Sequence, residues 1–336
     1  MALTAILAAA FLAFVGIRAS LPLLQRYALA RPNARSSHSL PTPQGGGWAV
    51  VAAALVVFGG AVHSLAIEAA PHLVAGLVVA AAGLALLGAW DDVRPLGAGL
   101  RLAVQTGAVV GVLWLLGADQ RLLPWLGPWA VEFVILALAG VWFVNLVNFM
   151  DGLDWLTVTQ MVPLTLAVTG FGLLGIVEPW VTWLAAALAG GLLGFAPFNR
   201  PVARLFLGDV GSLPIGLLAA VLLLALARAG EPVAALLLPL YYLIDATWTL
   251  LRRIRRGERF WEAHRSHFYQ QATTNGFTPI AIVRDVGLLQ LALIALAGLS
   301  IAVDDTVTDV LVLGLGAGLV AVCAMRFAGH WRTRIA

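Results

Sequence analysis

Apolar residues run along this chain in long blocks, and polar residues gather in the short gaps between them. A bilayer core takes about 20 consecutive apolar residues in helical form. Blocks near that length recur at 2–17, 48–67, 72–90, 100–117, 129–147, 156–176, 180–197, 211–228, 233–251, 286–303 and 307–325. Backbone amides cannot stay unsatisfied in lipid, so segments of this length are expected to be helices. The alternating pattern of a membrane β-barrel is absent. The pattern therefore predicts an all-α, polytopic transmembrane bundle of about 11 helices. The first block lacks a basic segment before it and has Arg18 behind it, which reads as a retained helix rather than a cleaved leader.

Composition agrees. Hydrophobic residues make up 61% of the chain and charged residues 11%, against roughly 25% charged in soluble domains. Mean hydropathy is +0.94. All 20 basic residues are arginine, and their distribution sets an orientation. Eighteen fall on one side: Arg18, Arg26, Arg31, Arg35, Arg94, Arg101, Arg200, Arg204, the seven between Arg252 and Arg284, and Arg326, Arg332 and Arg334. Arg121 and Arg228 fall on the other. The positive-inside rule then puts the N-terminus outside and the C-terminus in the cytoplasm. A pI near 9.6 needs no nucleic-acid partner, because an arginine-rich cytoplasmic face also suits anionic membrane lipids. Cys323 stands alone, which leaves no pair for a disulfide or a thiolate metal site.

The acids sort by side as well. Glu68, Asp119, Glu132, Glu178, Glu231, Asp304, Asp305 and Asp309 scatter over the outer side and read as solvated loop ends. Asp91, Asp92, Asp151, Asp154 and Asp209 instead sit at the cytoplasmic ends of spans three, five and seven. One aspartate at a bilayer centre costs about 2.5–3.5 kcal/mol, so five would total roughly 12–17 kcal/mol. That rivals a whole protein's stability of about 5–15 kcal/mol. The five are therefore expected at the water interface or in a hydrated cleft. Asp151 and Asp154 would share a face if their segment is helical, whereas adjacent Asp91 and Asp92 would diverge by about 100°.

Each acid taken alone reads as a helix cap or a solvated loop residue. A cluster of carboxylates with few soft ligands nearby favours a hard divalent cation, and Mg²⁺ takes one or two carboxylates plus phosphate oxygens. His264 and His267, flanked by Arg259 and Arg265, suggest an anion site, with Zn²⁺ a weak competitor. The "PTPQGGG" stretch at 41–47 lacks the lysine of a nucleotide-triphosphate loop and reads as a tight bend packed against the acidic loops. His38, just ahead of it, is a weaker phosphate or base candidate. His63, His72 and His330 carry no signal.

Six motifs in order give the chain a resemblance: "PTPQGGG", "WDDVRPLGAGLRLAVQ" at 90–105, "NFMDGLDWL" at 148–156, "FNRPVARLFLGDVGSLPIG" at 198–216, "LIDATWTLLRRI" at 243–254 and "HRSHFYQ" at 264–270. Together they resemble the polyprenyl-phosphate N-acetylhexosamine-1-phosphate transferases, the family of GlcNAc-1-phosphate and phospho-N-acetylmuramoyl-pentapeptide transferases. The resemblance implies a single membrane domain over 1–336, with active-site loops at 18–47, 91–100, 148–156, 198–211 and 252–285 on the cytoplasmic face of a bacterial inner membrane. It implies catalytic roles for Asp91, Asp92, Asp151, Asp154, His264 and His267. Asn148, Asn199, Arg101, Phe206, His38 and Arg265 would contact substrate, with Phe206 at a position associated with uracil stacking. Asp209 and Asp92 would hold Mg²⁺, with Mn²⁺ as a substitute. Whether Asp91 or Asp92 serves as base, nucleophile or orienting group stays open.

The implied partners are a UDP-N-acetylhexosamine, undecaprenyl phosphate and membrane lipids, with a homodimer left open. The reading "HRSH" and the absence of lysine lean toward the branch that starts O-antigen or other surface polysaccharides. UDP-GlcNAc, or a 6-deoxy relative such as UDP-N-acetylfucosamine or UDP-N-acetylquinovosamine, is then the expected donor. The alternative from another class is a proton- or cation-coupled transporter, which would place acids near the bilayer midplane, commonly with inverted repeats. Asp245, inside span nine, is either a functional acid or a structural partner for an arginine.

Overall fold

The computed structural model describes residues 1–30, 41–65, 67, 71–117, 121–259 and 264–329. It is nearly all helical. The helices are α1 (Ala2–Tyr27), α2 (Gly47–Ser64), α3 (Pro71–Val93), α4 (Ala98–Leu116), α5 (Trp129–Met150), α6 (Leu156–Leu173), α7 (Pro179–Phe195), α8 (Asp209–Arg228), α9 (Pro232–Leu237), α10 (Leu240–Arg255), α11 (Phe268–Thr274), α12 (Pro279–Val303) and α13 (Thr306–Phe327). Two short strands, β1 (Leu29–Ala30) and β2 (Thr42–Pro43), pair antiparallel.

Among the described residues nine helices are long and apolar enough to cross a membrane, namely α1 to α6, α8, α12 and α13. The chain is thus a polytopic helical membrane protein. α7 is apolar but only 17 residues long. It packs against α1, α2 and α6, while α8 lies against α3, α5, α2 and α9.

The ninth block differs from expectation: it is α9 and α10, broken at Leu238 and Pro239. Proline has no amide to continue the ladder, so carbonyls at the break need other donors. Fully buried Gln160 and Gln290 supply them, each donating from Nε2 to the Leu238 carbonyl, at 3.0 and 2.8 Å. Two connections read as loops also hold structure. Within 18–47, α1 continues to Tyr27 and the β1–β2 pair follows; within 252–285, α10 ends at Arg255 and α11 lies entirely inside.

The helix ends follow ordinary capping chemistry. Thr278 caps α12 through Oγ1, with Pro279 in the first helical position, and Asp305 caps α13 by accepting the amides of Val307 and Thr308. One outer acid departs from the solvated-loop reading: Glu132 is 1% exposed, in the first turn of α5. Its carboxylate pairs with Arg121 Nε at 2.8 Å and accepts the Leu122 amide at 2.7 Å. A buried carboxylate needs such partners, and residues 121–122 bend back to provide them.

Candidate active site

The site forms where the C-terminal ends of α3 and α5 meet the N-terminus of α8. That meeting is a matter of close backbone approach. A Cβ on Gly88 of α3 would collide with the backbone carbonyl of Asp209, and one on Gly211 would stand 2.6 Å from Gly47 Cα. Glycine at these contacts lets α2 and α3 press against the first turn of α8. The 41–47 segment packs as the sequence suggested. Gln44 bridges to Phe206, the Gly45 and Gly46 amides donate to the Phe206 carbonyl, and Gln44 Nε2 donates to the Asp92 carbonyl at 2.7 Å.

Asp91 and Asp92 diverge in the last turn of α3, as adjacent helical residues must. Asp92 accepts the backbone amides of Asp209 at 3.0 Å and Val210 at 3.2 Å, one on each carboxylate oxygen. It therefore caps α8, and its charge lies at the positive end of that helix. Asp91 faces the other way. It accepts the Leu96 amide at 2.6 Å and pairs with Arg101 Nη1 at 2.9 Å. The same guanidinium nitrogen stands 3.9 Å from Asp209 Oδ2, so Arg101 lies between two carboxylates.

Asp209 is held from its other side. Asn148 Nδ2 donates to Asp209 Oδ1 at 2.7 Å and to Ser212 Oγ at 2.8 Å, tying the end of α5 to the start of α8. The 151–155 segment after α5 is not helical, so Asp151 and Asp154 do not share a helix face. Thr157 donates its hydroxyl to Asp151 Oδ1 at 2.5 Å, and buried Asp154 accepts the Ala203 amide at 2.9 Å. Burial pushes the Asp151 carboxyl up to about 8, and the negative charges of Asp209, Asp92 and Asp154 add to the shift. The Thr157 hydrogen bond opposes it. Five acids from three connections thus share one electrostatic neighbourhood, Asp91 joining it through Arg101 and Asp209.

Asn199 is placed differently from a substrate contact. It is 7% exposed; its oxygen accepts the Trp155 amide at 2.8 Å and its nitrogen donates to the Leu205 carbonyl at 3.0 Å. Its amide joins the 151–155 and 198–208 loops, and Trp155 takes the left-handed φ of 62° at that junction. Phe206 is half-buried beside Gln44.

The histidine segment reaches the same region through α10 and α11. His264 and His267 have ring centroids 4.9 Å apart, and His267 lies 6.5 Å from the Phe149 ring. Tyr269 donates its hydroxyl to the Phe149 carbonyl at 3.1 Å, and a Cβ on Gly152 would strike that hydroxyl. His267 Nδ1 lies 3.1 Å from Asp245 Oδ1, with His267 3% and Asp245 1% exposed. Asp245 also accepts the amides of Phe268 and Tyr269. Its partners are the histidine and the start of α11, not an arginine, which corrects that alternative. A carboxylate on Nδ1 fixes the orientation of the ring and leaves Nε2 as the nitrogen turned to other partners. Arg265 is exposed. His38 lies outside the described residues.

Sequence reasoning missed Gln44, Thr157, Ser212 and Tyr269 as supports. Each is an ordinary polar residue near a motif and acquires its role only through a partner distant in sequence or a loop geometry.

Among the described residues no three of histidine, cysteine, aspartate and glutamate stand together as a ready metal cage. The donor set is hard carboxylate oxygen. Asp151 and Asp209 repel one another in a partly desolvated place, and a divalent cation taking one or two carboxylates would relieve that repulsion. These residues fit Mg²⁺ completed by phosphate and water oxygens. Asp92, expected as a second ligand, has one α8 amide on each oxygen, and Asp151 is a further acid whose charge is coupled to Asp209.

Comparisons with known proteins bear on this arrangement. Residues 74–227 match the glycosyl transferase family 4 profile. The chain is 28% identical over 298 residues to the decaprenyl-phosphate N-acetylglucosaminephosphotransferase of Mycobacterium leprae, covering 76% of this chain and 72% of that protein. It is 33% identical over 129 residues to the phospho-N-acetylmuramoyl-pentapeptide-transferase of Streptococcus pneumoniae, covering 38% of this chain and 37% of that one. For the Nostoc punctiforme protein of the same name the identity is 38% over 135 residues, 37% of each chain. The matches to these two pentapeptide-transferases span well under two thirds of their length. The similarity to the glycosyl transferase family 4 domain spans residues 74–227, and Asp91, Asp92, Asp151, Asp154 and Asp209 all lie within that stretch.

Proposed function

We propose that this protein transfers N-acetylhexosamine-1-phosphate from a UDP-sugar to undecaprenyl phosphate, releasing UMP and leaving a lipid-linked sugar diphosphate. The observation that carries the reading is the gathering of Asp92, Asp151, Asp154 and Asp209 beside Arg101 and the His264–His267 segment, at one end of a membrane bundle. The names of the mycobacterial and pneumococcal relatives support the reaction type. The arginine distribution supports a cytoplasmic site, with the N-terminus outside and the C-terminus inside.

Two anionic reactants must meet here, so charge neutralisation and alignment are the main tasks. Mg²⁺, or Mn²⁺ in its place, held by Asp209 with Asp151, would neutralise the donor diphosphate and the departing UMP. Arg101, already poised between Asp91 and Asp209, is the cation placed to exchange a carboxylate for a phosphate oxygen. Asp92 keeps the first turn of α8 in place, and Asp245 keeps His267 oriented so that, as an imidazolium, it would donate from Nε2 to phosphate. An oxygen of the lipid phosphate attacks the phosphorus attached to the sugar as the bond to UMP breaks. That acceptor is already ionised near neutrality, so no protein base is required and Asp91 serves orientation.

An apolar cavity bordered by α4, α5, α8 and α9, lined by Val109, Val112, Trp142, Phe143 and Pro239 among others, suits an isoprenoid chain. UDP-GlcNAc or a 6-deoxy relative is the first donor to test, and initiation of O-antigen or another surface polysaccharide in the bacterial inner membrane is the setting the "HRSH" motif favours. The acids lie together at helix ends on one side, which gives no support to a coupled transporter.

The test is UMP release by the purified chain with undecaprenyl phosphate, a panel of UDP-N-acetylhexosamines, and Mg²⁺ present or chelated. Metal-dependent UMP formation with at least one donor is expected. No release with any donor, alongside ion-driven uptake in proteoliposomes, would overturn the reading.

A further inference from the structure

α10 is built inside out. Its buried face carries Tyr241, Tyr242, Asp245, Thr249 and Arg253, whereas Trp248, Leu251 and Ile254 are 51%, 44% and 48% exposed. The exposed residues recur every third position, so they form one apolar strip along the helix. In water such a helix would be inverted; beside lipid it is the expected arrangement. α10 has only 16 residues and is not itself a candidate span.

The strip also runs on through the arginines, and these divide into two groups. Arg252 Nη2 donates to the Ser266 carbonyl at 2.7 Å, and its guanidinium sits 5.9 Å from the Phe268 ring centre. Arg253, 6% exposed, donates to the Arg259 carbonyl at 2.8 Å. Arg253 holds the turn at 257–259 that follows α10, and Arg252 holds the histidine-bearing segment. Arg255 and Arg256 point away from it: both are exposed, and the Arg256 side chain, 64% exposed, has Glu258 no closer than 4.0 Å. Exposed leucine and isoleucine followed at once by exposed arginines suit neither hydrocarbon nor bulk water. They suit the headgroup boundary, where an apolar side enters the acyl layer and guanidiniums meet phosphate.

We infer that the outward strip of α10, formed by Trp248, Leu251, Ile254 and Arg255, together with the exposed Arg256 just past the helix end, docks anionic phospholipid of the leaflet on the site's side. Acyl chains lie along the strip and the acidic headgroup engages the two guanidiniums. An anionic lipid is favoured over a zwitterionic one because the two arginines add positive charge that, among the described residues, meets only Glu258, at 4.0 Å from Arg256. The inner face of the same helix holds His267 through Asp245 and Ser266 through Arg252, so the docked lipid steadies the histidine segment. This inference goes beyond the transferase reading and is tested without turnover.

The experiment is thermal unfolding and native mass spectrometry of the full chain in detergent, with phosphatidylglycerol or phosphatidylcholine added. Phosphatidylglycerol is expected to raise Tm and to be retained, and phosphatidylcholine to do neither. The R255Q/R256Q double variant should match the parent Tm without lipid yet bind phosphatidylglycerol on the order of tenfold more weakly. R255K/R256K, which keeps the charge, should retain the response, as should R200Q/R204Q on a different exposed loop. An unchanged phosphatidylglycerol response in R255Q/R256Q, or an equal response to phosphatidylcholine, overturns the inference. So does displacement of retained phosphatidylglycerol by undecaprenyl phosphate, which would make the surface the acceptor's own.

Discussion

Asp92 receives the backbone amide of Asp209 at 3.0 Å, so one aspartate of the site fixes where the other stands. The bond joins the last turn of α3 to the first turn of α8, and a second bond to the Val210 amide makes it a cap. Removing a cap of this kind costs about 1–2 kcal/mol. Asp92→Ala is therefore expected to lower Tm in the absence of any substrate and to lower UMP release through a displaced Asp209. Asp92→Asn, which keeps one acceptor oxygen, should lose less stability. An unchanged Tm in the alanine variant would remove the capping role.

Asp209→Asn should behave in the opposite way. The asparagine oxygen still accepts from Asn148, and the exchange deletes one charge from a crowded acidic neighbourhood. Tm should hold or rise in metal-free buffer, while Mg²⁺-dependent UMP release should fall by about 100-fold or more, the scale of losing a key electrostatic contact. Activity near the parent level at the same Mg²⁺ concentration would show that Asp209 does not hold the ion.

The protonation of Asp151 gives a pH signature. Its folded value, about 8, lies above the ordinary carboxylate value of 3.8, so the folded state binds the proton more tightly than the unfolded state. The associated stability is complete below pH 3.8 and is lost as pH rises through about 8. In metal-free buffer Tm is expected to fall between pH 5 and pH 8 more steeply in the parent than in Asp151→Asn. Mg²⁺ should cancel that difference at pH 8, because the ion favours the ionised carboxylate. Parallel Tm profiles for the two proteins would count against the assignment.

Arg101 offers a test of geometry against charge. Lysine keeps the positive charge but loses the planar, multi-donor guanidinium whose Nη1 lies between Asp91 and Asp209. Arg101→Lys should lower kcat/KM for UMP release by about tenfold, while Arg101→Ala lowers it further, a graded series read in one assay. Equal activity of all three proteins would place Arg101 outside the reaction.

A remote control comes from the buried Glu132–Arg121 pair. Glu132→Gln leaves the guanidinium with a weaker partner and should cost about 1–3 kcal/mol in stability. UMP release per folded molecule should be unchanged, since the pair lies at the opposite end of α5 from Asn148.

Much of this molecule was legible in its sequence because a bilayer imposes simple rules. The long apolar blocks coincide with helices, and the divergence of Asp91 from Asp92 followed from helical spacing alone. What escaped notice depends on partners far apart in the chain. The break at Pro239 became intelligible only with Gln160 and Gln290 beside it, since a glutamine inside an apolar block gives no hint of which carbonyl it will satisfy. Glu132 looked solvated because its short stretch of sequence does not reveal that residues 121–122 fold back over it. Asn199 is a similar case: its motif marks the residue, but not that its amide joins two loops through the Trp155 amide and the Leu205 carbonyl.

Where α8 sits has one more consequence. In its most apolar stretch 83% of residues are enclosed by protein, against 28% for α3 and α5. The helix that presents Asp209 is therefore clamped on nearly every side, and swinging it would mean dismantling the bundle's centre. On the proposed reaction, reorganisation around a nucleotide donor would fall to the rim, above all to the segment after α10. Donor selectivity should accordingly be easiest to reprogramme by changes at that rim, with the acidic anchor left untouched.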